Sequence, residues 1–185
     1  MNAKQMKLEN PLRLEELKME ETLKKIGLEE DKVLCDIGAG SGIFTIPGAK
    51  ITKETVYALD INDEMLSIIA EKAKTEGIDN IKLIKVEDEH FNLTDHAADI
   101  VLMVTVLHEI SNTTVFLEEV KRILKDKGRI AVIEFHKRRT SMGPPPEQRL
   151  GSDEVSAKLT NTGFKVDKEF DLGDNYYCLV FTAES

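Results

Sequence analysis

Two kinds of apolar pattern alternate along this chain. Short continuous apolar runs occur at Val33-Leu34-Cys35-Asp36-Ile37, at Thr55-Val56-Tyr57-Ala58-Leu59-Asp60, at residues 81–86, at Asp99-Ile100-Val101-Leu102-Met103-Val104 and at residues 129–135. Runs of this length between turn residues predict strands buried on both faces, as the middle of a parallel sheet requires. Between them, apolar residues recur at helical spacing. Asn62 is placed to cap a helix with Asp63 and Glu64 in its first turn, Met65 and Ile69 on its buried face and Gly77 as its stop. Phe116, Val120, Ile123 and Leu124 form another helical stripe. A short helix over residues 43–50 tolerates Pro47 only near its first turn or as a kink. The order β-α-β-α-β-x-β-α-β predicts an α/β, doubly wound sheet with right-handed crossovers.

The two ends of the chain add to this. Residues 1–10 carry no clear pattern and read as loose. Over residues 11–26 the spacing of Met19, Leu23 and Ile26 predicts one broken helix or two short ones, stopped by Gly27. We therefore separate an N-terminal helical segment, 1–27, either a lid or a packing element, from a main domain, 28–185. Near the other end, Ser152 caps a helix with Val155 and Leu159 inward. Phe164, Val166 and Phe170 then alternate with polar residues, which predicts an edge strand with one wet face. Leu172-Gly173-Asp174-Asn175 is too short for a parallel crossover, so the apolar run Tyr176-Tyr177-Cys178-Leu179-Val180-Phe181 must return antiparallel, inside that edge.

Composition narrows the function classes. A net charge of −9 disfavours a general nucleic-acid binder, because phosphate contacts need a basic face. Cys35 and Cys178 lie far apart in apolar runs, which predicts buried, reduced thiols rather than a metal or redox pair. The N-terminus lacks an apolar signal core and no run approaches the ~20 residues of a membrane span, so a cytoplasmic protein with no membrane partner is expected.

The first strand runs straight into Gly38-Ala39-Gly40-Ser41-Gly42. Glycine at every second position lets bare backbone approach a ligand. The dinucleotide fingerprint is G-x-G-x-x-G, and here Ile43 stands where its third glycine belongs. With Asp36 two places before Gly38, the D-x-G-x-G-x-G string resembles motif I of the class I S-adenosylmethionine-dependent methyltransferases. The terminal antiparallel hairpin is similar to the end of that superfamily's sheet, which implies seven strands in the order 3-2-1-4-5-7-6.

The resemblance implies S-adenosyl-L-methionine as cofactor and a role for each strand end. Gly38, Ala39, Gly40 and Gly42 would present backbone to the cofactor. Asp36 would help hold the methionyl amino group, Asp60 would chelate the ribose hydroxyls or merely cap the next helix, and Ile61 would meet an adenine face. Glu87 or Asp88 would contact the adenine amine, and Val104 or Thr105 would approach from the fourth strand. Leu107-His108-Glu109 resembles a segment of the small-molecule branch that includes quinone-pathway C-methyltransferases, which makes His108 and Glu109 catalytic candidates. His136, Arg138 and Arg149 flank or lie in a basic, proline-rich loop that would face the acceptor; the string Gly143-Pro144-Pro145-Pro146…Arg149-Leu150 resembles loops in small bacterial and archaeal members of the superfamily.

What the chain lacks also matters. No Asn/Asp-Pro-Pro-Tyr/Phe segment follows the fourth strand, as it does in amino-group nucleic-acid methyltransferases, and no metal-ligand cluster is apparent. The expected function is methyl transfer to a small-molecule acceptor by direct displacement. The alternatives are a non-catalytic S-adenosylmethionine-binding or partner-scaffolding protein and, disfavoured by Ile43 and the terminal hairpin, a nicotinamide-dependent oxidoreductase. The pattern leaves the attacked atom and the oligomeric state open.

Overall fold

A computed structural model describes residues 3–87 and 90–183. A seven-stranded sheet organises the molecule, in the order β3-β2-β1-β4-β5-β7-β6. The strands are β1 (Leu34–Ile37), β2 (Val56–Asp60), β3 (Ile81–Lys85), β4 (Ala98–Val104), β5 (Leu124–Phe135), β6 (Phe164–Leu172) and β7 (Tyr176–Ala183). The first five are parallel, and β7 lies antiparallel between β5 and β6. Each crossover in this order demands a helix on one face or the other, which is why the central strands read as unbroken apolar runs.

Pleating sends alternate residues to opposite faces. Cys35, Val101, Met103 and Val132 join one core with Phe116 and Val120 of α6 (Thr113–Ile123) and with Val155 and Leu159 of α7 (Ser152–Thr160). Leu34, Ile100, Leu102 and Ile133 join the other, against Leu23 and Ile26 of α3 (Met19–Ile26) and Ala49 of α4 (Thr45–Ile51). A smaller cluster places Ile69 and Ala73 of α5 (Asp63–Glu76) against Ala58 and Ala39.

Two sequence expectations need correction, and a third is settled between its alternatives. Residues read as loose include a helix, α1 (Ala3–Leu8); it buries none of its residues, so it left no core periodicity to detect. The helical stretch over 11–26 takes the second of its two expected forms: two short helices, α2 (Pro11–Leu17) and α3, divided at Lys18, whose φ of 40° turns the chain. In β6, Phe164 is buried but Val166 is 43% exposed, because the register with β7 shifts between Val166 and Lys168. A bulge of this kind breaks the two-residue period that the alternation argument assumes.

The N-terminal helices are fastened at both sides of the sheet's carboxyl end. Lys72 donates to Glu9 at 2.7 Å and to the carbonyl of Ser41 at 2.8 Å, and Asn175 in the β6–β7 turn donates to Glu16 at 2.8 Å.

Candidate active site

The glycine loop begins where β1 ends. Gly38, Gly40 and Gly42 take φ values of 70°, 54° and 81°, in the left-handed region that side chains disfavour. At Gly38 a Cβ would also run into Val106, and at Gly40 into Leu8 of α1. The loop is therefore glycine-dependent both for conformation and for the packing above it. Amides of Gly38 and Ala39 donate to the carbonyl of Leu59 at 2.8 and 2.9 Å, which draws the loop toward the end of β2.

Asp60 completes that attachment. It is 6% exposed and accepts from the Gly40 amide at 2.8 Å through one oxygen and from the Asn62 amide at 2.8 Å through the other. It thus both braces the glycine loop and leads into α5. A carboxylate has about four acceptor positions, so this leaves capacity for a ligand's hydroxyls. Beside it Ile61 is 71% exposed, an apolar side chain on the rim. Glu87 is exposed after β3, while Asp88 lies outside the described residues.

Asp36 is 2% exposed and accepts from the Thr45 hydroxyl at 2.6 Å. Burial, and secondarily the nearby charge of Asp60, push its pKa up to about 7 against the opposing hydrogen bond from Thr45. Asp36, the glycine loop, Val104, Leu8 and Arg13 line one concavity. Above β4, Thr105 holds a φ of 55° with its amide donating to Ile133 at 2.7 Å. A β-branched residue in that region is strained, and such strain is typical of sites that fix a side chain against its local preference.

His108 stands on a one-turn 3₁₀ helix, Leu107–Glu109, just beyond β4. Its Nδ1 lies 2.8 Å from Glu134 of β5, and its backbone amide donates to the other oxygen of Glu134 at 3.2 Å. Glu134 is 1% exposed. The hydrogen bond to Glu134 raises the pKa of His108 above its ordinary value, against the opposing effect of burial. With both Glu134 oxygens placed as acceptors for the backbone amide and the imidazole, the proton of the neutral ring sits on Nδ1 and Nε2 keeps its lone pair. Glu109 is largely exposed, with a carboxylate oxygen 3.9 Å from Nε2.

The loop after β5 behaves differently from expectation. Arg149, a candidate for an incoming anion, is 4% exposed and occupied by its own loop. It donates to the carbonyls of Pro144, His136, Arg138 and Met142 and to the Thr140 hydroxyl, at 2.6 to 2.9 Å. These carbonyls have no strand partner, so a five-donor fork inside the loop satisfies them. Arg138 is exposed and donates to the Asp174 carbonyl at 3.3 Å, and His136 sits 3.1 Å from Asp171. Replacing Arg149 by alanine should therefore lower stability by roughly 3 kcal/mol, or about 6–12 °C in Tm. Thermal denaturation reads this directly, with cofactor affinity near the wild-type value.

Two residues of the site escaped the sequence reading, and each left a trace. Glu134 is an acid in a strand apolar on both faces. Arg13 is four residues before Leu17, and these two are the buried residues of α2. A charge on the inward stripe of a helix is the observation that points to it.

Comparison with known proteins agrees with this geometry. The family described as Methyltransferase domain matches residues 35–132. A solved S-adenosylmethionine-dependent methyltransferase from Aquifex aeolicus is 33% identical, with a TM-score of 0.89 over 95% of this chain and 94% of that one. Ubiquinone/menaquinone biosynthesis C-methyltransferases of Shewanella pealeana and Haemophilus ducreyi are 29% and 30% identical, over 63% and 60% of this chain and 47% and 44% of theirs. The chain thus spans about half the length of the curated relatives it matches. The nicotinamide alternative finds no support in these similarities. No helix among the described residues is long and apolar enough to cross a membrane. With its motif, its sheet order and these matches, the chain belongs to the methyltransferase-domain family of the class I S-adenosylmethionine-dependent methyltransferases.

Proposed function

We propose that the protein methylates a small hydroxylated aromatic molecule at carbon, with His108 as the base that activates it. The observation carrying the chemistry is the buried Glu134 beneath His108, which fixes the imidazole with Nε2 directed away from its anchor. The acceptor class follows the names of the curated relatives, which are biosynthetic C-methyltransferases.

The site's residues fit the cofactor that the family uses. Gly38 and Gly40 line the concavity with bare backbone, Asp60 keeps acceptor capacity for ribose hydroxyls, and Asp36 offers a buried carboxylate to a cationic amino-acid tail. When bound, S-adenosylmethionine supplies an electrophilic methyl group on a sulfonium whose leaving group is a neutral thioether. The protein's part is alignment, exclusion of water and handling of one proton. His108 Nε2 takes the proton of the acceptor's hydroxyl, and the oxygen's electron density makes the neighbouring ring carbon nucleophilic. The methyl group that the bound cofactor would supply would be taken by that carbon, with the carbon–sulfur electron pair left on the thioether sulfur. Loss of the ring proton to solvent restores aromaticity.

Incubation with methyl-labelled S-adenosylmethionine and a panel of dihydroxy-benzenes and -naphthalenes tests the reading. Label on a ring carbon, located by NMR, supports it. Label on oxygen, or none on any member while the cofactor binds, contradicts it.

A further inference from the structure

We infer that Asn175 is a positioning residue that ties helix α2, at the border of the concavity, to the loop after β5, so that bound cofactor orders the loop beside His108. The inference rests on the cofactor assignment above. Asn175 stands immediately before β7 and is 1% exposed. Its Nδ2 donates to both carboxylate oxygens of Glu16 in α2, at 2.8 and 2.9 Å. Its Oδ1 accepts from the Ser141 hydroxyl and the Met142 amide, each at 3.2 Å, and its backbone carbonyl accepts from the His136 amide at 2.9 Å. A backbone amide only donates and an ionised carboxylate only accepts, so a single orientation of the side-chain amide serves both segments.

Both ends of this link reach further. Glu16 also accepts from the Asp174 amide at 3.2 Å, and a Cβ at Gly173 would collide with its side chain, so the β6–β7 turn is shaped to seat it. A second link runs alongside. Arg13, on the same side of α2 as Glu16, donates to the Tyr176 hydroxyl at 3.0 Å, and that hydroxyl donates to the sulfur of Met142 at 3.1 Å. Two neighbouring residues thus connect one helix to one loop residue. From Met142 the connection spreads, because Arg149 donates to its carbonyl at 2.9 Å and also to the carbonyls of Pro144, His136 and Arg138. A loop closed on a single guanidinium shifts as a unit.

The two ends of the chain of contacts lie where binding and chemistry occur. At one end Leu8 and Arg13 line the concavity together with Asp36 and the glycine loop. At the other, the loop leaves β5 at His136, just beyond Glu134, the acid that orients His108. A ligand that fills the concavity stabilises the seated position of α2, and a seated α2 favours the seated loop. By linkage the ordered loop raises the affinity for that ligand by the same factor. Cofactor therefore prepares the wall against which the acceptor is held.

Hydrogen exchange read by mass spectrometry, with and without saturating S-adenosylhomocysteine, tests this on wild type, Glu16→Ala and the double variant Glu16→Ala/Tyr176→Phe. The first change cuts the link at α2 and leaves Asn175 bonded to the loop; the second removes the parallel hydroxyl. In wild type the ligand should slow exchange of the amides in 138–143 by about 5-fold or more, the lower end of couplings between sites. That slowing should shrink in Glu16→Ala and vanish in the double variant, while the glycine loop, 38–42, stays protected by ligand in all three. Should the double variant fail to fold, Asn175→Asp gives the same reading: it keeps the acceptor for Ser141 and Met142 but sets a second carboxylate against Glu16, and the loop's response should be lost. A variant loop that exchanges faster overall yet slows with ligand as wild type does has lost only structural support, and overturns the coupling. So does a wild-type loop indifferent to a ligand that protects the glycine loop. Ligand that protects neither segment of wild type removes the cofactor reading itself, a distinct result.

Discussion

His108→Ala is expected to lower kcat by roughly 10²–10⁴-fold at saturating cofactor, the usual worth of a positioned general base. A change of this size with unaltered cofactor affinity separates proton transfer from binding. The pH profile is the finer readout. His108 must be neutral to accept a proton, so kcat rises with pH through its pKa, which Glu134 holds above the ordinary 6.5. Glu134→Gln keeps an acceptor for the Nδ1 proton but removes the charge. It should move that rise to lower pH and cost about 10- to 100-fold in kcat, as second partners of catalytic imidazoles do. The linkage to stability has the same sign. A histidine whose folded pKa is raised contributes stability that is complete below pH 6.5 and is lost as pH climbs through the folded value. The Gln variant should therefore lose most stability on the acid side. A pH profile unmoved by Glu134→Gln would leave His108 without its role.

Asp36→Asn should do two opposite things. Burial lifts the carboxyl from 3.8 to about 7, a difference worth roughly 4 kcal/mol against the charged form. A raised folded pKa means that this position's stability is fullest below about pH 4 and is lost as pH rises through 7. Asparagine does not ionise and can still accept from Thr45. The ligand-free variant should thus melt on the order of 10 °C above wild type at pH 8, with an advantage that shrinks as the pH falls toward 4. The same change removes the anion offered to a cationic tail, and S-adenosylmethionine affinity should drop about 10- to 100-fold. Melting curves across pH beside calorimetry check both halves. A variant that gains no stability at pH 8 would show that Asp36 is not held under strain. Such an exchange of stability for binding is common where a site keeps a buried charge ready for its ligand.

How far the sequence disclosed all this depends on the kind of signal each part leaves. The parallel strands were legible because burial on both faces forces unbroken apolar runs, and the inside position of β7 followed from a turn too short to cross over. The glycine loop was legible because Gly38, Gly40 and Gly42 take positive φ values that other residues disfavour. Helix α1 was not, since it buries none of its residues and owes its place to contacts such as Leu8 over Gly40. The contrast between Arg149 and Arg13 is the most instructive. Proximity to a basic loop pointed to Arg149, which the loop's own carbonyls consume. Arg13 stood unremarked in a short amphipathic helix, although its charge lies on the buried side. Composition describes how many charges a segment has; the helical phase describes which one is inside. His108 was visible as a candidate, but the acid that orients it lies 26 residues on, joined to it by a strand pairing that only the sheet order reveals.

On this reading the glycine loop and Asp60 together form a site for an adenosine bearing an amino-acid tail. Thermal denaturation of wild type and Asp60→Ala with S-adenosylmethionine, S-adenosylhomocysteine and NADH tests it most directly. At 100 times its dissociation constant a ligand adds about 2.7 kcal/mol, or roughly 5–11 °C for a chain of this size. Wild type should show that rise with both sulfur-containing ligands and none with NADH, and a folded Asp60→Ala protein should show none. Stabilisation by NADH alone, or no rise with either sulfur ligand at saturating concentration, would contradict it.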